Sequence, residues 1–100
     1  MIPLCVPEIK GNEWKYIKDC LDTNWVSSVG PYVDKFENDF AGYIGSKKAV
    51  VTMNGTAAIE LALRTLGIGE GDQVIVSSLT FISPVNTIKY VGAEPVFVDV

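Results

Sequence analysis

The sequence predicts an α/β fold with a mainly parallel sheet and crossover helices, because strand-like and helix-like segments alternate beyond residue 48. The strand-like runs are residues 49–53, 74–77 and 95–100, and the helix-like segments are residues 56–66 and 82–91. A glycine-rich turn at residues 67–72 separates the first of these helices from the strand that follows it. Apolar runs joined by helix-length connections are typical of parallel strands whose crossover helices cover both faces of the sheet.

Residues 1–47 are predicted to form a helical arm ahead of this sheet, which starts within residues 48–100. Apolar side chains recur at helical spacing in residues 12–21 and again in residues 33–44, ending near a glycine. The connection between them, residues 23–31, is rich in hydroxyl and turn-forming residues. The sequence therefore predicts two amphipathic helices joined by a polar loop.

The composition of this 100-residue chain, with 48% hydrophobic residues, fits a small globular domain or part of a larger one. Residues 94–100 read as a buried strand with no turn signal after them, so we expect residues 1–100 to be an incomplete N-terminal portion of a domain. The net charge of −4, without a basic stripe, argues against a nucleic-acid-binding surface. No apolar stretch reaches membrane-spanning length and no signal-peptide pattern is present, so we expect a cytoplasmic protein without a membrane partner.

The two cysteines and the absence of histidine limit the chemistry of the chain. Cys5 and Cys20 lack metal-ligand spacing and have no histidine to join them, which favours free thiols and no metal site. Without histidine, the Ser-His and Cys-His nucleophile schemes are excluded within the chain. Any general acid or base is then a carboxylate, a lysine or a residue beyond Val100.

Residues 54–58 form a predicted turn between the first strand and the helix that follows it. Backbone N–H groups at a helix start have no partner, and the helix dipole adds partial positive charge there, so this turn can hold a phosphate group. Gly55 permits positive φ and a close backbone approach, Thr56 can cap the helix or bind a phosphate oxygen, and Ala57 is small. Turns of this kind also occur in α/β proteins that bind nothing, and the pattern alone leaves both interpretations open.

Phe81 is the second candidate site residue, because it follows the second predicted strand and precedes the next crossover helix. In open α/β sheets, ligands gather at the carboxyl ends of the strands. An aromatic ring there can stack on a flat heteroaromatic cofactor, or it can cap the core. The pattern alone does not decide between these two roles.

Several segments together resemble the sugar aminotransferases of the DegT/DnrJ/EryC1/StrS family, in the branch that makes perosamine-type and legionaminic-acid-type 4-amino sugars. The matching segments are residues 2–4, 25–30, 54–58, 69–75, 80–81 and 92–99. They occur in order along nearly the whole chain, and together they are far more specific than any one of them.

The resemblance implies an enzyme dependent on pyridoxal 5'-phosphate (PLP), with this chain as the N-terminal part of the large domain of a fold-type I transferase. It implies that Gly55, Thr56 and Ala57 bind the cofactor phosphate and that Phe81 stacks on the pyridine ring. The lysine that forms a Schiff base with the cofactor is expected beyond Val100. No catalytic residue is therefore assigned within the chain.

The resemblance also implies a substrate and a reaction. Trp25, Ser27 and Ser28 would belong to a loop near the substrate side. A homodimer would transfer an amino group from glutamate to a 4-keto-6-deoxy nucleotide sugar for surface-polysaccharide biosynthesis. Two alternatives stay open, namely a PLP-dependent sugar dehydratase on the same scaffold and a non-catalytic nucleotide-binding α/β domain.

Overall fold

The computed structural model of the chain describes residues 2–3 and 5–100, which divide into two compact units. The N-terminal unit is Met1–Ala49 and the C-terminal unit is Val50–Val100. Leu4, which belongs to the first segment matching the family, lies outside the described residues. Within those residues, none of the helices has both the length and the apolar character needed to cross a membrane.

The N-terminal unit contains the two predicted helices, α1 (Glu13–Asp22) and α2 (Pro31–Ile44). Proline at the first position of α2 is well placed, because the N–H that it lacks has no partner within a helix. The helix ends at Gly45, whose left-handed backbone (φ +70°) is the conformation in which glycine terminates helices. The predicted end of this helix is confirmed.

Polar and aromatic contacts join α1 to α2. The hydroxyl of Tyr32 donates a hydrogen bond to the carboxylate of Asp19 over 2.9 Å. The rings of Tyr16 and Tyr32 lie 5.2 Å apart between centroids, in a tilted arrangement. Ala41 is the one buried residue of these two helices, so their amphipathic faces are largely uncovered within this unit.

The C-terminal unit contains α3 (Gly55–Thr65), β1 (Gln73–Ser77), α4 (Ile82–Tyr90) and β2 (Glu94–Val98). The two strands pair in parallel, with α4 as the crossover between them. Their register runs from Gln73 opposite Glu94 to Ser77 opposite Val98. The predicted α/β fold with a parallel sheet is confirmed in this unit.

A small core lies between the helices and one face of the sheet. The buried residues are Val76, Ile88 and Ala93, and the partly buried residues around them are Leu63, Ile68, Val74, Val85 and Val91. Ile75, whose side chain alternates with those of Val74 and Val76, is 72% exposed. The prediction that helices cover both faces is therefore not met within the described residues, where they cover one.

The predicted strand at residues 49–53 is wrong for this structure. In the part of the chain that the structure describes, the sheet consists of β1 and β2 only, and residues 49–53 are assigned to no strand. A strand is defined by hydrogen bonds to a neighbouring strand, and neither β1 nor β2 pairs with this segment. The apolar pattern predicts extended backbone, but it does not supply a partner strand.

The turn before β1 forms as its residue types predict. The carboxylate of Asp72 accepts a hydrogen bond from the N–H of Gly69 over 2.9 Å. Gly67 and Gly71 have φ of +76° and +91°, a region that glycine enters without a steric penalty. This turn leads from the end of α3 into β1.

Candidate functional site

Asn54 caps the start of α3, where the phosphate-binding turn was predicted. Its backbone is extended, and its side-chain oxygen accepts a hydrogen bond from the N–H of Ala57 over 2.9 Å. Its carbonyl oxygen accepts a second bond, from the N–H of Ala58 over 3.1 Å. These are the contacts of an N-cap residue. The suggested capping role of Thr56 is therefore wrong, because Thr56 is already the second residue of the helix.

Gly55 is the first residue of α3, and its φ is not positive. A Cβ atom built on Gly55 would meet no atom within 4 Å. The backbone conformation therefore does not require glycine at this position, and the positive φ that the sequence allowed is not used. What glycine provides is open space directly beside the helix start.

The start of α3 fits a phosphate group. The N–H groups of Gly55 and Thr56 have no acceptor among the described residues, whereas the next N–H, of Ala57, already donates to Asn54. The first turn carries no acidic side chain. Two free N–H groups, the positive end of the helix dipole and an open approach are what an anion requires.

Phe81 is the N-cap residue of α4 and is 84% exposed. It does not belong to the buried core of this unit. The described residues thus give no support to the alternative in which Phe81 caps the core. Its ring is free to contact a ligand.

The starts of α3 and α4 lie on the same side of the C-terminal unit. The two helices pack against each other. At their far ends, the guanidinium of Arg64 donates to the carbonyl oxygen of Tyr90 over 3.4 Å. Since their C-terminal ends meet and each helix leads into a parallel strand, both helices begin at the carboxyl edge of the sheet. Gly55 and Phe81 therefore both lie at the edge where ligands bind in open α/β sheets.

Ser77 shapes the loop that carries Phe81. The hydroxyl of Ser77 accepts a hydrogen bond from the N–H of Leu79 over 3.1 Å and lies 3.0 Å from the carbonyl oxygen of the same residue. The N–H of Ser78 donates to the carbonyl oxygen of Val98 over 2.8 Å, which extends the pairing with β2 by one residue beyond the end of β1. Ser77 is thus a hydrogen-bonding residue at the end of β1.

In the N-terminal unit, Trp25, Ser27 and Ser28 belong to the loop between α1 and α2. The N–H of Trp25 donates to the carbonyl oxygen of Cys20 over 2.9 Å, which ties the loop to the end of α1. Trp25 and Ser27 line an open groove of about 640 Å³. Ser28 is exposed and does not line this groove.

The same groove contains residues that the sequence did not single out. Tyr32, Lys35 and Asp39 are among its polar lining residues, and Lys35 makes an ion pair with Asp39 one helical turn away. These contacts raise the pKa of the Lys35 ammonium, chiefly through its hydrogen bond to Asp39. The signal available in the sequence was only a helical charge pair, which is common on exposed helix faces.

These features define a parallel α/β protein whose first helix in the C-terminal unit is suited to bind a phosphate group. Residues 7–100 match the DegT/DnrJ/EryC1/StrS aminotransferase family. The chain belongs to this family, and the resemblance drawn from the sequence is confirmed.

Individual relatives agree with this assignment. GDP-perosamine synthase from Vibrio cholerae is 49% identical over 100 residues, which are 100% of this chain and 27% of that protein. The crystal structure of an aminotransferase from Psychrobacter cryohalolentis has a TM-score of 0.86 and 39% identity, covering 94% of this chain and 24% of that one. The chain therefore spans about a quarter of the length of these relatives.

A dehydratase is also similar to this chain. The structure of a GDP-4-keto-6-deoxymannose-3-dehydratase with a trapped PLP-glutamate geminal diamine has a TM-score of 0.84 and 29% identity. It covers 98% of this chain and 27% of the dehydratase. These structural neighbours confirm the predicted fold class, an N-terminal part of a fold-type I domain.

Proposed function

We propose that the full-length protein containing this chain is a PLP-dependent nucleotide-sugar aminotransferase. The observation that carries the proposal is the start of α3, where two N–H groups without acceptors adjoin open space in a chain of this aminotransferase family. The reaction would transfer an amino group from glutamate to a 4-keto-6-deoxy nucleotide sugar for surface-polysaccharide biosynthesis. The 49% identity to a GDP-perosamine synthase supports a sugar of this class.

Three residues of α3, namely Gly55, Thr56 and Ala57, would form the binding site for the cofactor phosphate. Gly55 and Thr56 offer the two N–H groups that lack acceptors. The hydroxyl of Thr56 can add a third hydrogen bond. The N–H of Ala57 is already used by the helix cap, so Ala57 would contribute through its small side chain, which leaves room for the anion.

Phe81 would cover one face of the cofactor ring and exclude water from it. When bound, the cofactor supplies the electron sink for moving an amino group. The lysine that reacts with the cofactor would lie beyond Val100. Lys89 does not fit this role, because it lies in the last turn of α4, at the opposite end of that helix from Phe81.

The remaining assignments concern the substrate and the setting of the enzyme. Trp25, Ser27 and Ser28 would contact the substrate in the full-length protein, and the groove beside Trp25 and Ser27 supports this role. Residues 1–47 would be a helical arm and residues 48–100 the start of the large domain. The protein would work as a homodimer in the cytoplasm.

A sugar dehydratase is the second candidate, because a solved dehydratase is 29% identical to this chain over 98% of its length. The two reactions give different products from the same kind of substrate. An aminotransferase attaches nitrogen at the keto carbon of the sugar, whereas the dehydratase removes a hydroxyl group.

One experiment separates these functions. The full-length protein is incubated with PLP, glutamate and GDP-4-keto-6-deoxymannose, and the sugar product is identified by mass spectrometry. We expect an amino sugar whose nitrogen comes from isotope-labelled glutamate, and no product when glutamate is omitted. A deoxygenated sugar without nitrogen would establish the dehydratase instead. A protein that binds no PLP would contradict both.

A further inference from the structure

We propose that Asn54 is a positioning residue for the cofactor phosphate. By accepting the N–H of Ala57 with a neutral side chain, Asn54 leaves the N–H groups of Gly55 and Thr56 for the phosphate and adds no negative charge beside it. This inference rests on the proposed cofactor site. It assigns a role to a residue that would not itself bind the cofactor.

The position of Asn54 is fixed by three hydrogen bonds. The N–H groups of Ala57 and Ala58 donate to its side-chain and main-chain oxygens, over 2.9 Å and 3.1 Å. The hydroxyl of Thr52 also donates to its carbonyl oxygen, over 3.0 Å. Asn54 accepts the third and fourth N–H groups of the helix. The first two N–H groups, of Gly55 and Thr56, therefore stay available and are adjacent.

The charge of the cap distinguishes a structural role from a role in anion binding. Aspartate caps a helix about as well as asparagine does, so helix stability alone does not favour asparagine. An aspartate at this position would, however, compensate the positive end of the helix dipole and repel a phosphate dianion. The first turns of α3 and α4 carry no acidic side chain, whereas Glu13 and Asp34 occupy those of α1 and α2. Neutrality at the start of α3 thus suits a ligand that is itself an anion.

The test compares Asn54→Asp with the wild type in the full-length protein, using PLP and pyridoxal, which lacks the phosphate. We expect Asn54→Asp to keep the melting temperature of the apo-protein but to bind PLP about tenfold more weakly, with its affinity for pyridoxal unchanged. Gln73→Glu is the matched control, since it adds the same charge at the first residue of β1, at the opposite edge of the sheet. We expect Gln73→Glu to bind PLP as the wild type does.

Asn54→Ser separates the charge of residue 54 from its capping function, because serine caps a helix without carrying a charge. We expect Asn54→Ser to bind PLP like the wild type. The proposal is overturned if Asn54→Asp binds PLP as tightly as the wild type does, or if it loses PLP and pyridoxal equally. It is also overturned if a folded Asn54→Ser loses as much PLP affinity as Asn54→Asp. A wild type that binds no PLP would defeat the proposed function itself, an outcome distinct from these.

Discussion

The indole ring of Trp25 lies directly against Gly30, so that its Cε3 atom would be 3.0 Å from a Cβ atom at position 30. Gly30 is the N-cap of α2 and has a φ of +144°, which side-chain-bearing residues rarely adopt. The contact and the backbone conformation therefore favour glycine for separate reasons. Together they fix the loop containing Ser27 and Ser28 to the start of α2.

Gly30→Ala should destabilise the protein for both reasons. We expect the free energy of unfolding to fall by about 1–3 kcal/mol, the usual range for a residue held in a strained backbone conformation. Gly42→Ala in the same helix is the control, because a Cβ atom there meets nothing within 4 Å and alanine favours helices. Urea denaturation of both variants checks this prediction. Equal stabilities would mean that neither the Trp25 contact nor the backbone conformation at position 30 requires glycine.

Gly55→Val should weaken PLP binding far more than Ala58→Ser does. The valine side chain would fill the open space beside the two free N–H groups. We expect this to weaken PLP binding by about 1–3 kcal/mol, the usual cost of overpacking a site. Since Gly55 does not have positive φ, the substitution should leave the apo-protein folded. Titration of PLP into both variants measures the difference. Equal affinities would remove Gly55 from the phosphate site.

Phe81→Leu tests whether the aromatic ring contacts the cofactor. Leucine keeps most of the apolar volume but loses the flat face, so we expect PLP binding to weaken by about 0.5–1.5 kcal/mol. Phe81 is 84% exposed, and the melting temperature of the apo-protein should therefore change little. The opposite result, a less stable apo-protein with unchanged PLP affinity, would assign Phe81 to the core.

The sequence predicted the structure correctly where the conformation depends on residues close together in the chain. Gly45 ends α2 because glycine adopts the left-handed conformation that closes a helix. The pairing of β1 with β2 follows from two apolar runs separated by one helix. For the same reason, the positions of Gly55 and Phe81 at helix starts could be predicted.

The sequence did not predict features that depend on which atoms come into contact in the folded chain. Asparagine and threonine are both good capping residues, and only the position of the first helical residue decides that Asn54 rather than Thr56 caps α3. Residues 49–53 have the composition of a strand, but a strand requires a neighbour that composition cannot identify. The groove beside Trp25 depends on how α1 and α2 pack, which their separate patterns do not specify.

The hydrogen bond between Tyr32 and Asp19 makes the stability of the protein sensitive to pH in the alkaline range. The hydrogen bond to the Asp19 carboxylate is the main reason why the pKa of Tyr32 lies above its ordinary value of 10.0. A group whose pKa is higher in the folded state contributes stability that is fully present below its unfolded pKa. That stability is lost as the pH rises through the folded pKa. We therefore expect the stabilisation from Tyr32 to be constant at neutral pH and to disappear above about pH 10.

Tyr32→Phe removes the hydroxyl that donates this bond, so the variant should be less stable than the wild type at neutral pH. The difference in stability between the two proteins should shrink above pH 10, the ordinary pKa of tyrosine. Above that pH the phenolate of the wild type repels the carboxylate of Asp19. Tyr43→Phe in the same helix is the control, since Tyr43 is 87% exposed. Urea midpoints of the wild type and both variants across a pH series measure the effect. A constant difference between Tyr32→Phe and the wild type would show that the Asp19 bond does not hold α1 and α2 together.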